Sequence, residues 1–253
     1  MKVFGLIGRK LDHSFSKEYF TQKFQKENIT DAAFELFPLP QISEFKELLR
    51  LQSSICGLAV TIPYKEEIIK ELDEVDAIAS TVGAVNCIVF KEGRTKGYNT
   101  DIIGFQKSLS SVTSDKVENA LVLGTGGASK AVQFVLKKMN IPFKLVSRTQ
   151  NHPEVSTYAD LNQEVMLSHQ LIVNCTPVGM GNRVDQKPDI PYQFINSSHC
   201  LFDLIYNPAE TQFLKEGKAR GAKILNGLKM LELQAEENWL LWNNVIGHGG
   251  AIV

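Results

Sequence analysis

The sequence is poor in the features that mark metal, disulfide, membrane or nucleic-acid proteins. Its 4 cysteines lie far apart, without a C-x-x-C pair or a nearby histidine at ligand spacing, so neither a metal site nor a disulfide framework is predicted. The formal net charge is −1 and the 22% of charged residues are mixed in sign, which predicts no basic surface for nucleic acid or an anionic membrane. The apolar run at the start is too short for a signal peptide, and no later run is long enough to cross a membrane. We therefore expect a cytoplasmic, globular protein without a nucleic-acid or membrane partner, and both monomer and homodimer are left open.

What the sequence does contain is an alternation of strand and helix patterns over 253 residues, which is enough for one large or two modest domains. Such an alternation is typical of βαβ units, which build a parallel sheet. Glu92-Gly93 predicts a hairpin turn within this pattern. The predicted fold class is α/β, with a mixed or parallel sheet in the N-terminal domain. Strands are predicted at 3–7, 34–39, 55–61 and 84–90, and helices at 17–27, 42–49 and 65–72.

The stretch from Ala120 to Met139 is the strongest single pattern in the chain. An apolar run over 120–123 predicts a buried parallel strand, three glycines follow, and the next apolar residues share one helical face. The first glycine permits a tight turn, the next two let backbone N–H groups approach a pyrophosphate, and the helix start attracts that anion. Ser129 takes the third fingerprint position in place of Gly or Ala. A dinucleotide site is predicted, although a tight βα turn without a ligand gives the same spacing.

The remaining patterns complete a Rossmann-like domain around this stretch. A connecting helix over 104–111 and a polar linker over 111–119 precede it. A last helix over 228–242 is apolar nearly all round, so we expect it to pack back onto the first domain. The predicted domains are 1–103, which is completed by 228–253 and is expected to bind the substrate, and 104–227, which is expected to bind the dinucleotide. Further strands are predicted at 143–146, 171–175, 201–205 and 223–225, with a helix over 210–220.

The end of the second Rossmann strand indicates which dinucleotide is bound. An acidic residue there binds the ribose 2′-hydroxyl of NAD, whereas an arginine accommodates the 2′-phosphate of NADP. This strand ends in Ser147-Arg148-Thr149, and no acid follows until Glu154. The planar guanidinium of Arg148 between two hydroxyls favours NADP, although a solvated arginine at a strand end is also common.

Polar residues near the strand ends of the first domain are the candidates for substrate chemistry, because ligands of α/β proteins bind there. Thr61 ends the third strand, Lys65 follows a proline turn, and Asp101 ends the segment Gly-Tyr-Asn-Thr-Asp. Burial and a nearby aspartate can tune a lysine for proton transfer, and none of the 5 histidines lies in such a cluster. Taken singly, a surface lysine and a turn aspartate are the more frequent explanations of such residues.

Taken together, these stretches resemble the shikimate dehydrogenase family over nearly the whole chain. Ser14 and Ser16 match the family's S-x-S, 60–65 match V-T-x-P-x-K, and 99–101 match N-T-D. Each match is short, but so many in one order are specific to the family. The other matches are 83–86 to G-A-V-N, 124–128 to the glycine loop, 147–149 to N-R-T, 174–180 to N-x-T-x-x-G-M, 202–206 to D-x-x-Y, and 227–235 to G-x-x-M-L-x-x-Q-A.

The resemblance implies reversible, NADPH-dependent reduction of 3-dehydroshikimate to shikimate, a step of chorismate and aromatic amino-acid synthesis. It implies that hydride passes from the nicotinamide C4 to the C3 carbonyl while Lys65 supplies a proton and Asp101 orients lysine and substrate. The substrate residues that it implies are Ser14, Ser16, Thr61, Asn86, Gln234 and Tyr206. The cofactor residues that it implies are Gly124, Gly126, Gly127, Ala128, Ser129, Ser147, Arg148, Thr149, Thr176, Leu204 and Gly227.

Two departures from the family pattern leave alternatives open. Ala59 stands where the family usually has an asparagine, on the same strand face as Thr61. Residues 150–152 supply no second strong base after Arg148, which weakens the expected grip on a 2′-phosphate. The alternatives are an NAD-dependent quinate/shikimate dehydrogenase and a non-catalytic regulator that binds NADP(H) or shikimate; the presence of Lys65 and Asp101 argues against the second.

Overall fold

The computed structural model describes residues 1–11, 14–111, 117–150 and 152–246, with side chains to residue 244. Within it the chain forms two compact units. Unit 1 holds residues 1–100 and the chain from Gln234 onward, and unit 2 holds residues 101–233. The predicted domain limits instead assign 101–103 and 228–233 to the first domain, and the functional limits stay a prediction. Some residues named in the predictions lie outside the described residues. They are His13, which precedes the S-x-S match, linker residues 112–116, Asn151, and residues 247–253 of the segment predicted to complete the first domain.

Unit 1 is built on a six-stranded mixed sheet in the order β2-β1-β3-β5-β6-β4. Of the two predicted possibilities, mixed or parallel, the sheet is mixed, because β5 runs antiparallel to β3 and β6. The reason is the hairpin turn predicted at Glu92-Gly93, where φ is 54° and 76°, as a two-residue hairpin of type I′ requires. The elements are β1 (Lys2–Gly8), α1 (Phe15–Lys26), β2 (Ala32–Pro38), α2 (Phe45–Leu51), β3 (Ile55–Val60), β4 (Glu74–Val75), α3 (Ala77–Val82), β5 (Cys87–Lys91) and β6 (Arg94–Tyr98).

The helix predicted over 65–72 is a short 3₁₀ helix, Glu67–Glu71. A long-range hydrogen bond explains the difference. The carbonyl of Lys65 accepts from the N–H of Val85 at 2.7 Å, so it is not used in an α-helical bond. The sequence pattern of residues 65–72 carries no information about this partner.

Both faces of the unit 1 sheet are covered by apolar clusters, because successive side chains of a strand point to opposite faces. Phe4 and Leu6 of β1 pack with α1 and the C-terminal helix α8 (Leu228–Ile246), whereas Ile7 packs on the other face. Trp242 of α8 is fully buried over Gly57, where a Cβ atom would lie 2.4 Å from the indole ring. The glycine is therefore required for this helix to lie against the sheet.

Unit 2 has a six-stranded parallel sheet in the order β12-β11-β10-β7-β8-β9. Numbered within the unit, this is the strand order 6-5-4-1-2-3 of the dinucleotide-binding fold, with its switch point between β7 and β10. The predicted α/β class with a Rossmann-like second half is confirmed. The elements are α4 (Asp101–Ser110), β7 (Ala120–Leu123), α5 (Gly127–Lys138), β8 (Phe143–Ser147), β9 (Val155–Thr157), α6 (Gln163–Ser168), β10 (Leu171–Asn174), β11 (Cys200–Asp203), α7 (Gln212–Ala219) and β12 (Lys223–Leu225).

The sequence patterns missed four short elements: β4, α3, β9 and α6. Among the residues that the structure describes, no helix is both long enough and apolar enough to span a membrane.

Candidate active site

One edge of the unit 1 sheet brings together two of the polar residues predicted to bind substrate, Thr61 and Asn86. Because β1, β3 and β6 run in the same direction, their carboxyl ends share this edge, and the antiparallel β5 begins there. Main-chain bonds join the segments: Thr61 donates to the carbonyl of Ile7 at 2.9 Å, and Asn86 donates to that of Tyr98 at 3.0 Å. Thr61 and Asn86 therefore lie together although 25 residues separate them in the sequence.

Lys65 is held at the same edge by its main chain. The turn after β3 is closed by a bond from the N–H of Tyr64 to the carbonyl of Thr61 at 3.0 Å. The Tyr64 side chain is fully buried and its hydroxyl donates to the carbonyl of Leu39 at 2.6 Å. Together with the Val85 bond described above, these contacts fix the backbone of Lys65 beside Asn86, while its side chain stays half-buried.

A network of four buried side chains lies next to this edge. The N–H of Thr100 donates to Oδ1 of Asn86 at 2.7 Å, and the Thr100 hydroxyl donates to Oδ1 of Asn238 at 2.7 Å. Nδ2 of Asn86 donates to the Thr100 hydroxyl at 3.0 Å and to Oε1 of Gln234 at 3.3 Å. Two predicted substrate residues, Asn86 and Gln234, are thus held in fixed orientations by Thr100 and Asn238, neither of which was predicted to have a role at the site.

The hydroxyl of Ser14 is buried and has no hydrogen-bond partner among the described residues. Ser14 is the N-cap residue of α1, yet its side chain makes no capping bond, and Ser16 lies in the first turn of the helix. Because a buried hydroxyl without a partner is unfavourable, its position is better explained by a ligand than by helix capping. An anion that accepts a hydrogen bond, such as a carboxylate, fits this position.

Asp101 and Tyr206 belong to unit 2. Asp101 is the first residue of α4 and is buried, and Tyr206 is half-buried in the loop after β11. The predicted pairing of Asp101 with Lys65, and the contact of Tyr206 with substrate, stay predictions.

In unit 2 the glycine loop lies at the switch point of the sheet. Gly124 has a φ of 103°, and a Cβ there would lie 3.1 Å from Cγ2 of Thr176, so the turn needs glycine. A Cβ on Gly126 would meet no described atom within 4 Å. The N-cap residue of α5 is Gly126, which has no side chain to bond the first N–H groups of the helix, and such groups attract an anion. Open space above a glycine and uncapped N–H groups fit a dinucleotide pyrophosphate.

The other residues of the loop face inwards or are partly exposed. Ser129 is fully buried and its hydroxyl accepts from Nε2 of Gln133 at 3.1 Å, so this side chain bonds within its own helix. Gly127 and Ala128 are half-buried at the helix start. They present backbone groups there, which is what the glycine fingerprint requires.

The loops after β10 and β11 are tied to each other through Asp203. Its carboxylate accepts from Nδ2 of Asn174 at 3.0 Å and from the hydroxyl of Thr211 at 2.6 Å. Burial raises the pKa of Asp203 to about 6, against these hydrogen bonds, which lower it. Asp203 and Thr211 were not predicted as site residues, although Asp203 is the aspartate of the D-x-x-Y match.

Two predicted cofactor residues, Thr176 and Leu204, lie in these loops, and a third, Gly227, lies between β12 and α8. The hydroxyl of Thr176 donates to Oδ1 of Asn174 at 2.7 Å and accepts from the N–H of Val178 at 3.2 Å, so it is used within its own loop. A Cβ on Gly227 would lie 2.1 Å from the carbonyl oxygen of Leu204, so this glycine is required by packing. Contacts of the three with a cofactor stay predictions.

At the end of β8, Ser147 is half-buried and Arg148 and Thr149 are exposed. Arg148 is near Tyr158: burial raises the pKa of the Tyr158 phenol, and the guanidinium acts in the opposite direction. An exposed guanidinium at this strand end fits a 2′-phosphate.

Known proteins match the chain over nearly its full length. Residues 6–88 match the family model described as shikimate dehydrogenase substrate binding domain. The chain is 36% identical over 247 residues to the shikimate dehydrogenase (NADP(+)) of Methanosphaera stadtmanae. The aligned region covers 90% of this chain and 87% of that protein. The crystal structure of shikimate dehydrogenase from Aquifex aeolicus has a TM-score of 0.86 at 35% identity, with 96% and 93% of the two chains covered. Shikimate 5-dehydrogenase from Thermus thermophilus, in complex with NADP(H) and shikimate, has a TM-score of 0.84 at 30% identity, with 96% and 94% covered.

Proposed function

Because the chain belongs to the shikimate dehydrogenase family, we propose that it catalyses the reversible, NADPH-dependent reduction of 3-dehydroshikimate to shikimate. The observation that carries the proposal is the edge of the unit 1 sheet. There, the main chain of Lys65 is bonded to Val85, next to Asn86, whose buried amide is bonded to that of Gln234. The same unit contains the buried hydroxyl of Ser14, which has no hydrogen-bond partner among the described residues. A ring acid with a carboxylate and several hydroxyls offers partners for each of these groups.

The residues of unit 1 divide between binding and proton transfer. Ser14 and Ser16 hold the carboxylate, because a hydrogen bond from a hydroxyl group to an anion is shorter and stronger than one between neutral groups. Asn86 and Gln234 bind ring hydroxyls, and their own hydrogen bonds fix them before the substrate arrives. Lys65 carries the proton that the carbonyl oxygen takes up on reduction, and Asp101 orients the lysine.

The residues of unit 2 hold NADP. The glycine loop and the start of α5 bind the pyrophosphate, and Arg148 binds the 2′-phosphate. When bound, the cofactor supplies or accepts the hydride. Asp203 keeps the loops after β10 and β11 in place through Asn174 and Thr211.

The test is an absorbance assay of NADPH formation from shikimate and NADP, applied to the wild type and to Lys65→Met. Methionine keeps an unbranched, apolar side chain but removes the ammonium group. We expect kcat to fall by about 10² to 10⁴, the usual contribution of a general acid or base, with a much smaller change in the KM for shikimate.

Lys70→Met is the matched control, because Lys70 is exposed on the neighbouring 3₁₀ helix. It should keep wild-type kcat. A Lys65→Met enzyme with more than about a tenth of wild-type kcat contradicts the proton-transfer role. A wild type that binds both ligands but produces no NADPH supports the non-catalytic regulator instead.

Three further expectations belong to this proposal. The substrate domain comprises 1–103 and 228–253 and the NADP domain 104–227, the protein works in the cytoplasm, and it is a monomer or a homodimer. The four cysteines are all free thiols, which is the usual state in a reducing compartment. Sedimentation velocity distinguishes a monomer from a homodimer.

A further inference from the structure

Asn238 is a buried polar residue on the face of α8 that packs against the sheet. Its side chain is 1% exposed, and its helical neighbours on the same face, Ala235 and Trp242, belong to the apolar cluster of unit 1. A polar side chain in such surroundings is unfavourable unless it is fully hydrogen-bonded. Both polar side-chain atoms of Asn238 are hydrogen-bonded: Oδ1 accepts from the Thr100 hydroxyl, and Nδ2 donates to Oε1 of Gln234.

The direction of each hydrogen bond in this network can be assigned. The shortest bond from the Thr100 hydroxyl runs to Oδ1 of Asn238, at 2.7 Å, so Nδ2 of Asn238 is directed elsewhere. That Nδ2 donates to Oε1 of Gln234 at 3.3 Å, one helical turn earlier. Oε1 of Gln234 also accepts a hydrogen bond from Nδ2 of Asn86 at 3.3 Å, so both lone pairs of this oxygen have a donor.

These two donors leave Gln234 a single favourable orientation. If its amide were rotated by half a turn, its NH₂ group would face the NH₂ groups of Asn86 and Asn238, and none of the three could accept. The Oε1 atom therefore points into the network and the Nε2 atom, with its two hydrogens, points away from it.

We propose that Asn238 is a positioning residue that, together with Asn86, fixes the amide orientation of Gln234, so that Gln234 presents hydrogen-bond donors to the bound acid. This inference rests on the proposed function, because it assumes that Gln234 contacts the substrate. It predicts that Gln234 recognises an acceptor, such as a hydroxyl or carbonyl oxygen. Without Asn238, Oε1 of Gln234 keeps one donor in this network, Nδ2 of Asn86, so the amide is held less firmly in the orientation that matches the acceptor.

The first test is Asn238→Leu, which keeps the volume of the side chain but removes its polar atoms. We expect the KM for shikimate to rise roughly threefold to tenfold, because one fixed hydrogen bond to the substrate is lost, while the KM for NADP stays unchanged. The melting temperature is recorded in parallel.

The second test is Asn238→Asp, which introduces a titratable group of the same shape. When protonated, its carboxyl group can still donate to Oε1 of Gln234, but when ionised it has no donor. We expect a near wild-type KM for shikimate at the acid end of the working pH range and a KM raised roughly threefold to tenfold at the alkaline end, relative to the wild type at each pH. A purely structural asparagine gives no such pH profile.

Two controls separate this effect from charge and from folding. Asn243→Asp changes a half-buried residue on the same helix, whose Nδ2 donates to the carbonyl of Trp239 at 2.9 Å, and should leave the KM profile unchanged. In a Gln234→Ala background, Asn238→Asp should add no further pH dependence if it acts through Gln234.

The outcomes distinguish the two proposals. An active wild type with an unchanged shikimate KM in folded Asn238→Leu, or with no pH profile in Asn238→Asp, overturns the role of Asn238 alone. If Asn238→Leu does not fold, the pH profile of Asn238→Asp decides. A wild type without NADP-dependent shikimate oxidation overturns the proposed function, and this inference with it.

Discussion

Replacing Ser14 by alanine tests whether the buried hydroxyl at the start of α1 serves a ligand or the helix. A hydroxyl that binds a carboxylate makes a charge-assisted bond, and removing such a bond weakens binding by about 1.5–3 kcal/mol. The KM for shikimate should therefore rise roughly tenfold to a hundredfold. The KM for NADP should not change, because Ser14 and the glycine loop belong to different units.

The effect on stability separates the two interpretations. Loss of an ordinary serine N-cap costs about 1 kcal/mol of unfolding free energy. Ser14 makes no capping bond, and its oxygen has no partner among the described residues. Removing a buried polar atom that is unpaired should leave the unfolding free energy unchanged or raise it by up to about 1 kcal/mol, equivalent to a melting temperature higher by about 2–4 °C.

The measurements are steady-state kinetics with shikimate and a thermal unfolding curve on the same preparation. Asn162→Ala is the matched control, because Asn162 caps α6 with a real bond from the N–H of Val165 at 3.0 Å. It should lose about 1 kcal/mol of stability and keep its KM. A Ser14→Ala enzyme that behaves like this control, destabilised with a normal KM, refutes the carboxylate role.

Two other predictions concern unit 2. Arg148→Ala should raise the KM for NADPH by roughly tenfold to a hundredfold and the KM for NADH far less, because only NADPH carries a 2′-phosphate; equal losses with both cofactors contradict the assignment. Asp203→Asn should change the pH dependence of stability, because burial raises the pKa of Asp203 from its ordinary 3.8 to about 6. The folded state then binds the Asp203 proton more tightly than the unfolded state does. The protonated carboxyl therefore contributes stability that is fully present below pH 3.8 and is lost as the pH rises through 6. In urea titrations from about pH 4 to pH 7 the stability of the wild type relative to Asp203→Asn should fall by up to about 3 kcal/mol, and a constant difference is evidence against a raised pKa.

The parts of the fold that could be predicted are those whose environment is uniform along the element. Strands β7 and β10 are buried at all four residues, so they appear in the sequence as continuous apolar runs. Strand β9 has three residues with only Val155 buried, and α6 buries only Met166. Neither is long enough for a period to be recognised, which is why both were missed.

Hydrogen bonds between distant segments account for the largest error within an element. Lys65 to Leu72 has a helical pattern, but the Lys65 carbonyl is bonded to Val85 on the neighbouring segment. The same bond fixes the backbone of Lys65 beside Asn86. A departure from local preference thus lies at the residue proposed to transfer the proton, where local and tertiary demands most often conflict.

The candidate site shows the same division between what local sequence states and what only the fold supplies. The spacing of Ala235, Asn238 and Trp242 places an asparagine on an apolar helix face, and burial of such a side chain requires partners. That much is readable without a structure. The identity of the partners is not, because the Thr100 hydroxyl and the Gln234 amide reach Asn238 only once α8 packs against the sheet. The direction of every hydrogen bond in the network, and therefore whether Gln234 donates to the substrate or accepts from it, follows from that packing and from no residue alone.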